Sequence, residues 1–116
     1  MADTLHAPSI ASTSSASAQF DRAGRHVTAY VSGELDAASV RDIGSAIAGH
    51  IHPDDERVWL DLSATKFCDS SGLKMLFELD RQVSASGGRL VVFNPTPIVR
   101  RLLEMCDPDH VIAVRT

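Results

Sequence analysis

From Val27 onward, apolar residues recur with two alternating periods. Val27, Ala29 and Val31 alternate with polar neighbours, the spacing of a half-buried strand, and the run ends at Gly33. Val40, Ile43, Ile47 and Ile51 then recur at helical spacing, with Asp36 as the cap of that helix. Val58-Trp59-Leu60-Asp61-Leu62 is apolar enough for a central strand. Leu73, Leu76, Leu79 and Val83 form one stripe of a second helix, closed by Gly87-Gly88. Leu90–Phe93 predicts a third buried strand, and Thr96-Pro97 a helix start with a hydroxyl cap and proline at the first helical position. Val99, Leu102, Leu103 and Cys106 make the buried side of that helix, and Val111–Val114 predicts a last strand. Upstream, Ala18–Arg22 predicts a strand that the Ala23-Gly24-Arg25 turn folds into a hairpin with the next. Residues 1–17 are rich in Ala, Ser and Thr and offer little to repay the entropy of ordering, so they read as a flexible tail before a domain of residues 18–116.

Strands that alternate with helices predict an α/β fold. Right-handed crossovers then give a mainly parallel, mixed sheet of about five strands, with an N-terminal hairpin and helices packed against it. In such sheets, sites gather at the carboxyl ends of the strands. The Gly33–Asp36 loop, the Asp69–Gly72 turn and the Asn94–Pro97 turn all follow strands and should converge there.

Composition narrows the function. The 116 residues suffice for one domain with a modest core. A net charge of −4 without a basic stripe argues against a nucleic-acid partner. No apolar run has the length of a membrane span, and the N-terminus lacks the pattern of a secretory signal. The two cysteines have no metal-site spacing, so the reading is a reduced, cytoplasmic domain without a metal or cofactor. His50, His52, Asp54 and Asp55 fit a surface loop better than a zinc site. No Gly-x-Ser-x-Gly run and no Gly-rich phosphate loop is present, and the five histidines lie away from the serines of interest, so the reading is not an enzyme.

Phe67-Cys68-Asp69-Ser70-Ser71-Gly72-Leu73 is the most informative stretch. Ser70 or Ser71 should lie at a helix N-terminus, where unpaired N–H groups favour an oxygen-rich side chain. The simple reading is a cap; the alternative is a phosphorylation site at Ser70. Glu34, Asp36 and Asp69 would surround that position with negative charge. A phosphate there adds about −1.5 to −2 units to an acidic corner and should disturb a docked partner. Backbone N–H groups at the helix start should tolerate it within the isolated domain.

Five motifs in order make the resemblance specific: Gly33-Glu34-Leu35-Asp36, the strand Val58–Leu62, Phe67–Leu73, Gly87-Gly88 and Pro97-Ile98-Val99-Arg100-Arg101-Leu102-Leu103. Together they resemble the STAS family, and within it the single-domain anti-sigma-factor antagonists, over about residues 18–114. The resemblance implies a STAS-like fold and a partner-switching protein. Unmodified, it would bind an anti-sigma factor, a serine kinase of ATPase-like fold, and so release a sigma factor. The kinase would phosphorylate Ser70 with its own ATP, and a metal-dependent serine phosphatase would reset the switch. Ser71 and Gly72 match the start of the recognition helix, Asp36 the acidic residue of the neighbouring loop, and Glu34 and Asp69 complete the partner-binding set. Lys74 stands where relatives often carry a small or apolar residue; it would soften repulsion at the phosphosite or contact the partner. The alternative within the family is an adaptor subunit of a stress-signalling complex or a membrane lipid transporter.

Overall fold

Period-two alternation builds a longer sheet than the sequence motifs mark out. A computed structural model describes residues 10–116. In chain order the elements are β1 (Ile10–Ser12), β2 (Ala16–Ala23), β3 (His26–Leu35), α1 (Val40–His50), β4 (Arg57–Cys68), α2 (Ser70–Ala85), β5 (Arg89–Phe93), α3 (Pro97–Cys106) and β6 (Ala113–Arg115). The six strands lie side by side in chain order. β1, β2 and β3 pair antiparallel; β3, β4, β5 and β6 pair parallel. The α/β fold with a mixed, mainly parallel sheet is as the sequence implied, with six strands in place of about five.

Because every parallel step moves the same way across the sheet, right-handed crossovers put all three helices on one face. The core lies between them: Val27, Ala29, Val31, Val58, Leu60, Leu62, Leu90 and Val92 meet Ile43, Ile47, Leu76, Leu79, Val83, Val99 and Leu103. Their burial supplies the main drive to fold, at about 25 cal/mol per Å² of apolar surface. The opposite face carries Thr28, Tyr30, Trp59, Asp61 and Phe93.

Residues 10–17, read from sequence as tail, belong to the sheet. β1 pairs with β2, Ala16 and Ala18 are buried, and Glu34 N–H donates to the Ser15 carbonyl at 2.8 Å. Gly33 has φ +93°, and a side chain there would collide with that carbonyl. Small residues are what this tight crossing admits, and small residues are also what made the segment look unstructured. The rest of the presumed tail, residues 1–9, lies outside the described residues.

Three further expectations shift. α1 begins at Val40, because Asp36 first closes a turn: its carboxylate accepts from Ala38 N–H at 3.0 Å and Ser39 N–H at 3.1 Å. The last strand moves from 111–114 to Ala113–Arg115, since the buried Asp107 carboxylate takes the N–H groups of Val111 and Ile112, each at 2.9 Å. Cys106 is exposed at the end of α3 and does not join its buried side. Thr96 does sit at the N-cap of α3, but its hydroxyl donates to the Thr65 carbonyl at 2.7 Å and makes no cap hydrogen bond.

Candidate functional site: the first turn of α2

β4 carries the chain to the site. It runs beyond Leu62 to Cys68, and its last residues pair with β3 as Glu34↔Phe67 and Leu35↔Cys68. The ends of β3 and β4 are therefore level. Asp69 N–H donates to the Leu35 carbonyl at 3.2 Å, which fixes the start of α2 against the loop that contains Glu34 and Asp36.

The helix cap is Asp69, one residue earlier than the serine reading. Its backbone is extended, and its carboxylate accepts from Ser71 N–H at 2.8 Å and Gly72 N–H at 3.3 Å. That satisfies two of the donors a helix start leaves open. Ser70 is then the first residue of the helix; it is exposed and makes no side-chain hydrogen bond among the described residues. The capping role and the free hydroxyl thus fall on adjacent residues.

Gly72 is buried and presses on the sheet. A Cβ there would stand 2.5 Å from Cys68 Sγ and 2.9 Å from both Leu35 Cβ and the Leu35 carbonyl. Its role is to let the first turn approach the strand ends; it offers no surface to a partner. Burial, reinforced by the Asp69 carboxylate, pushes the Cys68 thiol up to about 11, so it stays protonated and is a packing group.

Of the other residues singled out, Glu34 is exposed at the tip of β3, while its carbonyl accepts from the Ser39 hydroxyl at 2.7 Å. Asp36 is half-buried and committed to its own turn. Ser71 and Lys74 lie on the side of α2 that meets α1. They line a groove of about 540 Å³ between α1 and α2 with Arg41, Gly44, Met75 and Glu78. The structure thus brings Glu34, Asp36, Asp69 and Ser70 to one corner, with Ser71 and Lys74 leading from it into the groove. The third predicted turn lies lower. β5 ends at Phe93, opposite Asp61, so the Asn94–Pro97 turn starts lower: Thr96 docks beside Thr65, and Pro97 reaches the groove beside Cys68.

Sequence reasoning missed two features. Arg22 and Asp55 form a two-pronged ion pair, with contacts of 2.6 and 2.9 Å, and His52 N–H donates to the same carboxylate at 2.8 Å. His52, Asp54 and Asp55 do lie within 4.8 Å of one another, but Asp55 is taken by Arg22. The second is a groove of about 340 Å³ beside Cys68, lined by Pro97, Ile98, Arg101, Leu102 and Met105. The spacing of Ile98, Leu102 and Met105 was the available signal. No helix among the described residues is long and apolar enough to cross a membrane.

Comparison with known proteins agrees with this fold. A curated relative, the anti-sigma F factor antagonist of Lysinibacillus sphaericus, is 31% identical over 74 residues, covering 62% of each chain. The chain thus spans somewhat under two thirds of that relative. An anti-sigma factor antagonist from Mycobacterium paratuberculosis superposes with a TM-score of 0.78 at 23% identity, over 90% of this chain and 89% of that one. SpoIIAA, an anti-sigma factor antagonist, superposes in its unphosphorylated form with a TM-score of 0.65 at 25% identity, over 85% of this chain and 88% of that one. Its phosphorylated form, from Bacillus, gives 0.64 at 24%, over 85% and 91%. The family model described as Mlab, STAS domain matches residues 18–114, nearly the whole of the sheet and all three helices, and the chain belongs to the STAS domain family.

Proposed function

We propose that this chain is an anti-sigma-factor antagonist whose binding is switched at Ser70. The observation that carries the reading is the exposed, unbonded Ser70 hydroxyl at the first position of α2, next to a capping Asp69. A kinase needs a reachable hydroxyl on a defined backbone, and this one is held by a helix start without being used by it. The SpoIIAA structures support the same reading, since that antagonist exists in unphosphorylated and phosphorylated forms.

The local chemistry supplies the sign of the switch. Asp69 already occupies Ser71 N–H and Gly72 N–H, so a phosphate on Ser70 does not fold back onto those donors. It projects outward beside Asp69 and Glu34 and meets a docked partner with about −1.5 to −2 added charges. Lys74, one helical turn on, is the nearest cation along the same helix and offsets part of that field. The partner is a serine kinase of ATPase-like fold, the anti-sigma factor itself, acting in the cytoplasm. ATP belongs to the kinase, and a metal-dependent serine phosphatase restores the binding form.

Intact-mass measurement with site mapping tests this after incubation with ATP and each anti-sigma kinase from the same source. One added phosphate at Ser70, together with loss of kinase binding, is the expected result. Stable binding by the phosphorylated chain, or modification elsewhere with Ser70 untouched, would overturn it. No modification by any active kinase would favour an adaptor role in another assembly.

A further inference from the structure

Helix α3 carries more apolar surface than its packing uses. Val99 and Leu103 are buried against the sheet. Ile98, Leu102 and Met105 form a second stripe at i, i+4 and i+7, with Ile98 55% and Met105 72% exposed. Scattered exposed apolar residues are ordinary. These are not scattered: they line one groove of about 340 Å³ with Cys68, Pro97 and Arg101. Cys68 joins that groove to the switch, because its sulfur lies directly beneath Gly72 in the first turn of α2. Arg101 is exposed at the edge of that groove and pairs with no carboxylate among the described residues.

We propose that this groove is the second half of the docking surface for the kinase that Ser70 engages, taking an apolar segment that carries an acidic residue at its edge. The inference rests on the antagonist reading and adds to it the source of affinity. The first turn of α2 is small, polar and acidic, and such a surface sets the sign of a switch while contributing little binding free energy. Affinity in interfaces comes from a few desolvated apolar anchors, with charge kept to the rim. Ile98 and Met105 supply the apolar floor, and the unpaired Arg101 guanidinium at its edge selects a carboxylate. The groove and the switch act through different physics. Phosphorylation leaves the anchors intact and adds repulsion next to them, so release needs no change in fold.

The test uses the full chain and the kinase domain that phosphorylates Ser70, loaded with ADP. Ile98→Ser and Met105→Ser should each weaken binding roughly tenfold, chiefly through faster dissociation. Arg101→Glu should weaken it too, by a factor that shrinks as salt is raised. Ile10→Ser, at the far edge of the sheet on β1, should leave affinity unchanged. If the serine variants lower the melting temperature, Arg101→Glu, which removes no buried packing, decides the matter. Wild-type affinity in all three groove variants, with Ser70→Asp still weakening binding, would overturn the groove and leave the switch standing. A wild-type chain that no kinase domain from its source binds or phosphorylates would overturn both.

Discussion

Asp69 and Ser70 divide one job between two residues. The carboxylate holds the helix start through Ser71 N–H and Gly72 N–H, so the adjacent hydroxyl is free. Asp69→Ala should therefore cost about 1 kcal/mol of folding stability. Ser70→Ala should cost little stability while it abolishes the switch and leaves the chain bound to its kinase in the presence of ATP. Chemical denaturation of the two variants side by side checks the assignment, and an equal loss in both would mean that Ser70 shares the cap. The motif was legible in sequence because its residues are contiguous. The register of the cap was not, since Asp, Ser and Ser in a row are all good caps and periodicity cannot choose among them. Gly72 looked like a surface residue for a related reason. Nothing local to it reveals that Cys68 and Leu35 close in from below.

At the scale of elements, long-range pairing escaped the sequence most completely. Arg22 at the end of β2 and Asp55 in the α1–β4 loop are 33 residues apart, yet they make the best-formed ion pair among the described residues. Hydrogen bonds from Arg22 hold the buried Asp55 carboxyl down to about 2, against an ordinary 3.8, despite the opposing cost of burial. A carboxylate whose folded pKa is lowered adds stability above its unfolded value and loses it as pH falls toward the folded one. Acidification from about pH 4 toward 2 should thus remove this contribution. Asp80, raised by burial and by Asp107, works in the opposite sense. Asp55→Asn should destabilise by roughly 2 kcal/mol at neutral pH, because Arg22 loses its charge partner and keeps only its bonds to the Gly24 and His50 carbonyls, and should flatten the stability curve over that acidic window. Urea melts of both proteins between pH 2 and 7 would show it; parallel curves would exclude the pair as the cause. The small residues of β1 and early β2 gave the other misleading signal. A chain beginning at Ala18 should be less stable than one beginning at Ile10 by about 2 kcal/mol or more. It loses the burial of Ala16 and the bond from Glu34 N–H to Ser15. Matching melting temperatures would mean that the β1–β2 turn only decorates the sheet.

At the scale of the whole fold, chain-order strands leave one sheet face without helices among the described residues, and that asymmetry separates the switch from the rest of the fold. Helix stripes and strand alternation made the architecture readable, since local period and right-handed connection leave few alternatives. The switch lies at the carboxyl end of β4, on the edge of the helical layer. Trp59, the single tryptophan, lies half-exposed on the uncovered face, its ring at 87° to Phe93 with centroids 6.2 Å apart. Between the two stand the paired strands β3, β4 and β5 and a core whose members are nearly all fully buried. Close-packed interiors do not yield gradually, so a charge added at Ser70 has no soft path to that face. Its effect should be electrostatic and confined to the docking surface. Phosphorylation at Ser70 should then leave the Trp59 emission maximum and its quenching by iodide unchanged, while kinase affinity falls by an order of magnitude or more. A shift in Trp59 emission on phosphorylation, in the absence of any partner, would show that the phosphate rearranges the sheet. The switch would then be conformational, and repulsion at the surface would no longer account for it.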